Sequence, residues 1–436
     1  MKTLFTIFIG LLLLVTYNFT FKEKHVLTNS EPVKVTLQKN NEQFQLLVNG
    51  EPFFIKGAGL EFGEIPSLAA HNGNSFRTWR TDNGKQTAQE ILDAAHKHGL
   101  LVTMGIDVAR ERHGFDYNDE AAVKKQYDRI EKEITPIKDH PALLMWAVGN
   151  ELNHESTNPK VWDAVNELSK MIHRIDPNHL TTTTLAGINQ KYVNYIKERC
   201  TDIDLLSFQV YGDLEQLPKM VKKYNWEGAY MVTEWGATGH WEVAKTSWGA
   251  PIEDNSTVKA NNYLKRYRKG IETNTTQCVG SYVFLWGQKQ ERTPTWYGIF
   301  LEDGKETEAV DVMHYLWNDS WPTNKTPQVV SFELNGKNAY GNVLLKQNEN
   351  CIATVKIQDH EKDNMSYRWE ILAESIDLQE GGDYEGRPHS ISISIDLEKD
   401  GILHFKAPKA GAYRLFVYAT DGHHHAATAN ITFLVQ

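Results

Sequence analysis

Cysteine is scarce. Only Cys200, Cys278 and Cys351 occur in 436 residues, an odd count that cannot pair off completely, and no two stand at a metal-site spacing. Neither a disulfide framework nor a structural metal is expected. Positive charge is also short. Lys and Arg number 46 against 56 Asp and Glu, a formal net charge of −10, so a general attraction to nucleic acid or an anionic membrane is not expected. The same balance favours a neutral partner over a sulfated or uronic one. A phosphate-cradling loop is missing as well. Gly57-Ala58-Gly59 follows the first strand-like run, but no helix start follows it, which disfavours nucleotide-dependent chemistry and a doubly wound sheet.

The apolar run at residues 4–15, behind Met1-Lys2, has the basic start and hydrophobic region of a secretory signal, and no other stretch could span a membrane. We expect residues 1–25 to be a signal peptide and the protein to be exported, to the periplasm, the cell surface or the medium. The small-residue cleavage site is poor at Tyr17-Asn18-Phe19-Thr20, so an uncleaved anchor stays open and stable membrane insertion is expected only in that case. A hydrophobic share of 41% and a charged share of 23% are those of an ordinary globular protein, and the length suits two or three domains.

Residues 33–54 alternate around Asn49-Gly50 and predict a short hairpin. From there to about residue 318, apolar strands alternate with amphipathic helices. The strands are expected at 54–60, 75–80, 101–107, 143–151, 181–185, 205–211, 230–234 and 280–286, with helices at 87–98, 120–138, 159–175 and 214–223 among them. Eight such repeats predict an α/β fold, a (β/α)8 TIM barrel over residues 33–320 with its entry hairpin. The Pro-flanked segment 321–327 reads as a linker. Residues 328–436 carry about seven short alternating runs, at 329–334, 350–358, 367–372, 390–396, 401–406, 413–418 and 427–435, and predict an immunoglobulin-like β-sandwich. His423-His424-His425 falls in a turn there and reads as a solvated hairpin tip rather than a metal site.

Two glutamates close two of the barrel strands. Glu151 ends Trp146-Ala147-Val148-Gly149-Asn150-Glu151 and Glu234 ends Met231-Val232-Thr233-Glu234. An unpaired carboxylate at the end of an apolar strand is costly as packing. At the C-terminal end of a barrel strand it faces the mouth, where such folds place their chemistry. Two carboxylates on strands 4 and 7 could meet across that mouth. Glycoside cleavage needs such a pair, one to protonate the leaving oxygen and one to attack the anomeric carbon when they lie about 5–5.5 Å apart. The 12 Trp matter for the same reason, because sugars stack their apolar faces on aromatic rings. Trp79, Trp235, Trp241, Trp248 and Trp296 lie at or after the ends of strands 2, 7 and 8. Sugar stacking and plain packing compete at each.

Gly149-Asn150-Glu151 and Thr233-Glu234-Trp235-Gly236 resemble the strand-4 and strand-7 motifs of clan A retaining glycoside hydrolases. The resemblance implies Glu151 as acid/base and Glu234 as nucleophile. It implies Asn150 as the partner of the sugar 2-hydroxyl, Arg77 beside the nucleophile and Tyr211 as the phenol that contacts it. Trp286 would be the aromatic floor. Arg80, ending the same strand as Arg77, could serve in its place or bind substrate. The hairpin, barrel and single sandwich domain look like bacterial endo-β-1,3-glucanases of glycoside hydrolase family 158. The barrel is also similar to the family 2 catalytic domain, although residues 1–50 leave no room for the large N-terminal jelly roll of those enzymes. These likenesses imply a monomeric retaining endo-β-glucanase of polysaccharides or oligosaccharides that needs no cofactor. Other clan A specificities (mannanase, galactanase, transglycosylase) and a non-catalytic glycan-binding protein are the alternatives.

Overall fold

The computed structural model describes residues 31–392 and 395–436; the expected signal peptide lies outside the described residues. The chain opens with a three-stranded antiparallel sheet, β1 (Val35–Asn40), β2 (Gln43–Val48) and β3 (Glu51–Pro52). Asn49 and Gly50, both at positive φ (52° and 84°), make the two-residue turn from β2 to β3, the conformation that suits Asn-Gly.

Eight strands then close a barrel in which every pairing is parallel: β4 (Ile55–Gly59), β5 (Ser75–Arg77), β6 (Leu101–Ile106), β7 (Leu143–Asn150), β8 (Leu180–Ala186), β9 (Leu205–Gln209), β10 (Tyr230–Glu234) and β11 (Cys278–Val283). One helix follows each in turn: α1 (Ile65–Ala70), α2 (Ala88–Lys97), α3 (Glu120–Ile134), α4 (Lys160–Ile175), α5 (Gln190–Arg199), α6 (Leu217–Lys223), α7 (Ser256–Gly270) and α8 (Glu308–Asn318). The strands are apolar along their whole length because the barrel interior covers one face and the helices the other. In β7, Leu143 to Gly149 are all buried. The helices bury one stripe each; α4 turns Trp162, Val165, Leu168 and Ile172 inward. Their starts are set locally. Thr87 and Glu90 form a reciprocal capping box on α2, and Asp119 caps α3 through the Ala121 and Ala122 amides.

Two strands end earlier than their sequence pattern. The strand expected to Arg80 stops at Arg77 and the one expected to Trp286 stops at Val283. The residues that follow leave the ladder to build the mouth. All three cysteines are free and buried, and among the described residues no helix is long and apolar enough to cross a membrane.

Residues 319–327 carry no regular structure, although the Thr326 amide is tied back to Asp311 of α8 at 2.7 Å. The C-terminal region contains β12 (Gln328–Leu334), β13 (Val343–Leu345), β14 (Asn350–Gln358), β15 (Ser366–Ala373), β16 (Ile395–Lys399), β17 (Ile402–Lys406), β18 (Gly411–Thr420) and β19 (Ala426–Val435). They form two four-stranded sheets, β12-β14-β17-β16 and β13-β19-β18-β15, around one apolar core that includes Phe332, Leu403, Phe405, Leu415 and Phe433. The strand missing from the sequence reading is β13. At three residues it is too short to show a period, and it is recruited by parallel pairing with β19. The expected strand at 390–396 starts later, at Ile395; Ser390 makes only a lone bridge to Leu372.

The sandwich packs on the barrel through buried polar contacts. Asn430 donates to Glu253 at 2.7 Å, Arg414 donates to the Pro251 carbonyl at 2.9 Å, and the Thr428 amide donates to Ser256 at 2.9 Å. The histidine turn takes part, so it is not simply a solvated tip. His423 and His424 are exposed, but His425 turns inward, with Nδ1 at 2.8 Å from Asp421 and Nε2 facing Glu306 of the barrel at 4.0 Å.

Candidate active site

Both glutamates reach the C-terminal mouth, Glu234 as the last residue of β10 and Glu151 as the first residue after β7. These are barrel strands 7 and 4. Glu151 takes φ +52° immediately after Asn150, a left-handed conformation that costs a non-glycine residue of order 1 kcal/mol or more and clusters at functional sites. The Glu151 amide still donates to the Thr184 carbonyl at 3.1 Å, so the turn leaves the backbone satisfied and directs the side chain into the cleft that Glu234 also lines.

The two carboxyls sit in opposite surroundings. Glu234 accepts three hydrogen bonds, from Trp79 Nε1 at 2.7 Å, Tyr211 Oη at 2.9 Å and Arg77 Nη1 at 3.3 Å. All three partners are donors, the complement of an ionised carboxylate, which only accepts. Burial and the Glu234 charge hold the Tyr211 phenol well above its ordinary pKa, so it stays a donor. Arg77 is 1% exposed and also donates from Nη2 to Asn150 Oδ1 at 2.8 Å; Gln209 Nε2 donates to the same oxygen at 2.8 Å. The Asn150 amide is thereby fixed by two donors. Glu151 shares in none of these bonds. Burial, and then the neighbouring Glu234 charge, push its carboxyl up to about 8, against the opposing charges of Arg112, Arg77 and Arg110. One carboxyl is ringed by donors and the other is held toward its protonated form, and unlike environments of this kind separate the roles in carboxylate pairs.

Trp79 reaches Glu234 because Gly105 of β6 lets the chain pass over it. A Cβ there would lie 2.4 Å from the Thr78 carbonyl oxygen and 2.7 Å from Trp79 Cα, contacts with backbone that cannot swing away. Gly105→Ala is therefore expected to lower the unfolding free energy by about 1–3 kcal/mol, measured by denaturant titration, and to weaken the Trp79–Glu234 bond.

Of the other expected substrate residues, Trp79, Arg80 and Trp241 line the cleft. Arg80 is paired with Glu61 at 2.5 Å rather than with Glu234, so of the two candidate arginines it is Arg77 that takes the place beside Glu234. Trp241 is 56% exposed and meets Tyr211 edge-on at 5.7 Å. Four tryptophans lie elsewhere. Trp235 is fully buried against Tyr263 and Tyr267 of α7, because side chains alternate along a strand and the neighbour of an inward Glu234 must face the helix layer. Trp286 stacks on Trp317 of α8 at 5.7 Å and is 0% exposed; its strand has ended three residues earlier, so register no longer aims it at the mouth. Trp296 is buried with its Nε1 on the Thr238 carbonyl at 2.9 Å. Trp248 sits half-buried in the 245–251 turn and does not line the cleft.

Phe284, and not Trp286, is the aromatic side chain from the end of β11 that lines the cleft. It meets Trp79, Tyr211 and Tyr297 edge-on at 5.8, 6.0 and 6.0 Å. Sequence reasoning passed over it, along with Gln209 and Tyr297. For Phe284 a signal existed, since it lies two residues after Tyr282, whose hydroxyl bonds Ser75 and Thr103 inside the barrel, and so shares its face.

The cleft holds about 1680 Å³. Among the described residues that line it, twelve are acidic, the two glutamates included, against four lysines and arginines.

Comparison with known proteins gives a family match over residues 65–304, more than half of the chain, to the model described as glycosyl hydrolases family 2, TIM barrel domain. A stretch of 164 residues is 33% identical to a probable mannan endo-1,4-β-mannosidase C from Aspergillus terreus, covering 29% of this chain and 40% of that protein. A β-glucuronidase from Paenibacillus borealis is 25% identical over 235 residues, 48% of this chain and 37% of its own length. The chain thus matches about two fifths of these relatives. Among solved structures, Bacteroides uniformis β-glucuronidase 2, covalently bound to cyclophellitol-6-carboxylate aziridine, aligns with a TM-score of 0.52 at 12% identity, over 92% of this chain and 48% of that one, a likeness of fold. The chain belongs to the glycosyl hydrolase family 2 TIM-barrel family.

Proposed function

We propose that the protein is a retaining β-glycoside hydrolase of neutral glycan chains, an endo-β-1,3-glucanase by best fit, with Glu234 as nucleophile and Glu151 as acid/base. The observation that carries this is the pair itself, two carboxyls at the ends of barrel strands 4 and 7, one held by three donors and the other kept protonated to about 8. In the first step Glu151 passes its proton to the glycosidic oxygen as Glu234 attacks the anomeric carbon, and the leaving sugar departs with that proton. The resulting ester carries no charge on Glu234, which removes one of the two causes that raise Glu151. Its carboxylate then takes a proton from the water that attacks the same carbon, and Glu234 is released. Asn150, fixed by Arg77 and Gln209, is placed to bond the 2-hydroxyl. Because the free enzyme must hold the Glu151 proton, kcat/KM is expected to fall as pH rises through about 8, read from a pH–rate profile.

Three features favour a neutral polymer. Among the described lining residues acidic side chains outnumber lysines and arginines three to one, which repels uronates. Its volume exceeds the roughly 300–1,000 Å³ of a small-ligand pocket, which suits several sugars and internal cleavage. The β-1,3 linkage rests on the likeness in architecture to family 158. A mannanase is the second reading, supported by the stretch 33% identical to the Aspergillus terreus protein. The apolar run at residues 4–15 supports export of the protein, where polymeric glycans are met. The test is hydrolysis of laminarin, mannan, xylan and cellulose side by side. A ladder of oligosaccharides from laminarin is expected; dominant release from mannan would replace the glucanase with a mannanase, and silence on all four would remove the glycosidase reading.

A further inference from the structure

The cleft is not walled by the barrel alone. The connection from β15 to β16 runs through residues 374–390 with hardly any regular structure, and Glu380, Gly381, Gly382, Asp383 and Tyr384 line the cleft. This piece of the sandwich is fastened to two different barrel connections. After β6, Arg112 donates to the Glu380 carbonyl at 3.0 Å and to the Gly381 carbonyl at 3.3 Å, and it pairs with Asp383 at 3.3 Å; His113 lies 3.0 Å from the other Asp383 oxygen. After β11, Lys289 donates to the Gly382 carbonyl at 2.8 Å, and Arg292 pairs with Glu385, which is 1% exposed. Gly381 (φ +59°) permits the turn, and a Cβ at that position would lie 2.4 Å from Arg112 Nη1. With Arg112, Arg292 and Glu385 buried in these contacts, the segment is held in a defined place.

On this anchored segment Tyr384 is left 85% exposed. An exposed large aromatic is informative where it recurs in one place. Among the described residues five aromatic side chains are exposed, and three of them, Phe62, Trp241 and Tyr384, line this one cleft. Phe62 and Trp241 sit on the connections after β4 and β10, whereas Tyr384 comes from the other domain. None of the three bonds Glu234, so they serve sugars away from the reacting carbon.

Resting on the glycosidase reading, we propose that Tyr384 is a substrate-binding residue whose ring stacks on a pyranose of the chain beyond the unit attacked by Glu234, so that the sandwich domain completes a subsite of the cleft. The experiment compares wild type with Tyr384→Ala and Tyr384→Phe on whichever of laminarin, mannan, xylan and cellulose the wild type cleaves, and on its oligosaccharides of two to six units. Tyr384→Ala is expected to raise KM for the polymer and the hexamer about 5–10-fold, the size of one lost aromatic contact. It should leave kcat within about 2-fold and melting temperature within about 1 °C, since an exposed side chain carries little stability. Tyr384→Phe should keep the wild-type KM. An unchanged KM in Tyr384→Ala, with the wild type active, overturns the inference alone, as does a fall in kcat and melting temperature together. A wild type inactive on all four glycans overturns the glycosidase reading and this inference with it.

Discussion

Glu234→Gln is expected to release product from the cleaved glycan at least about 10³-fold more slowly than wild type, the scale of loss when a covalent nucleophile is removed. Glutamine is nearly isosteric, so the loss reports chemistry rather than shape. It keeps one carbonyl oxygen, which Trp79 and Arg77 both address at Oε1 in the native site, and it places an amide where Tyr211 donates. It cannot form an ester with the anomeric carbon. Intact-protein mass spectrometry after exposure to a slowly turning-over activated glycoside separates this from a binding defect. The wild type should carry one glycosyl adduct on Glu234, and the variant none. An adduct on the variant, or wild-type turnover by it, would sink the nucleophile assignment. A second consequence concerns Arg77. That guanidinium is 1% exposed and loses its carboxylate partner in the variant, and an uncompensated buried charge is destabilising by several kcal/mol in the worst case. A lower melting temperature alongside the lost activity is therefore expected, and it is the opposite of what happens at the other glutamate.

The barrel was legible in the sequence because strand and helix alternate with periods that differ, and because parallel strands covered on both faces read as continuous apolar runs. The two glutamates were legible for a related reason, since a carboxylate ending such a run has no structural use. Aromatic roles were much less so. Trp235 and Glu234 are adjacent in sequence and on opposite faces in space, and only the register of β10 separates them. The family resemblance assigns the aromatic floor to Trp286, but the strand stops at Val283 and Phe284 lines the cleft instead. Tyr384 could not have been found at all from the barrel pattern. Its relation to the site is made by the packing of one domain on another, through Arg112, Lys289 and Arg292, and no local period records a contact between residues some 270 positions apart.

Glu151→Gln should do the reverse of Glu234→Gln, abolishing proton donation while making the protein more stable at alkaline pH. The native carboxyl is held at about 8, first by burial and then by the Glu234 charge, whereas in the unfolded chain it titrates near the ordinary glutamate value. Between those two values the folded state binds a proton that the unfolded state has released. Stability therefore falls as pH rises through this window, and above about 8 the full penalty of a buried, repelled charge is present. At about 1.36 kcal/mol for each pKa unit, and allowing for relaxation of the site, the penalty amounts to about 2–4 kcal/mol. Glutamine has no proton to lose and escapes it. The melting temperature of Glu151→Gln minus that of wild type, followed by calorimetry from pH 5 to 9, should start near zero and grow with pH. A difference that stays flat across this range would mean that Glu151 is not the elevated carboxyl. The same variant tests its role in catalysis, because an acid/base is needed least where the leaving group is good. Activity on a glycoside with an activated aryl leaving group should then be recovered by adding azide, which needs no base, with the β-glycosyl azide as product. Glu234→Gln lacks the ester on which that second displacement operates, so azide should not give the β product from it. The two glutamates, alike in sequence and at equivalent strand ends, are thus separable by stability, by pH and by product.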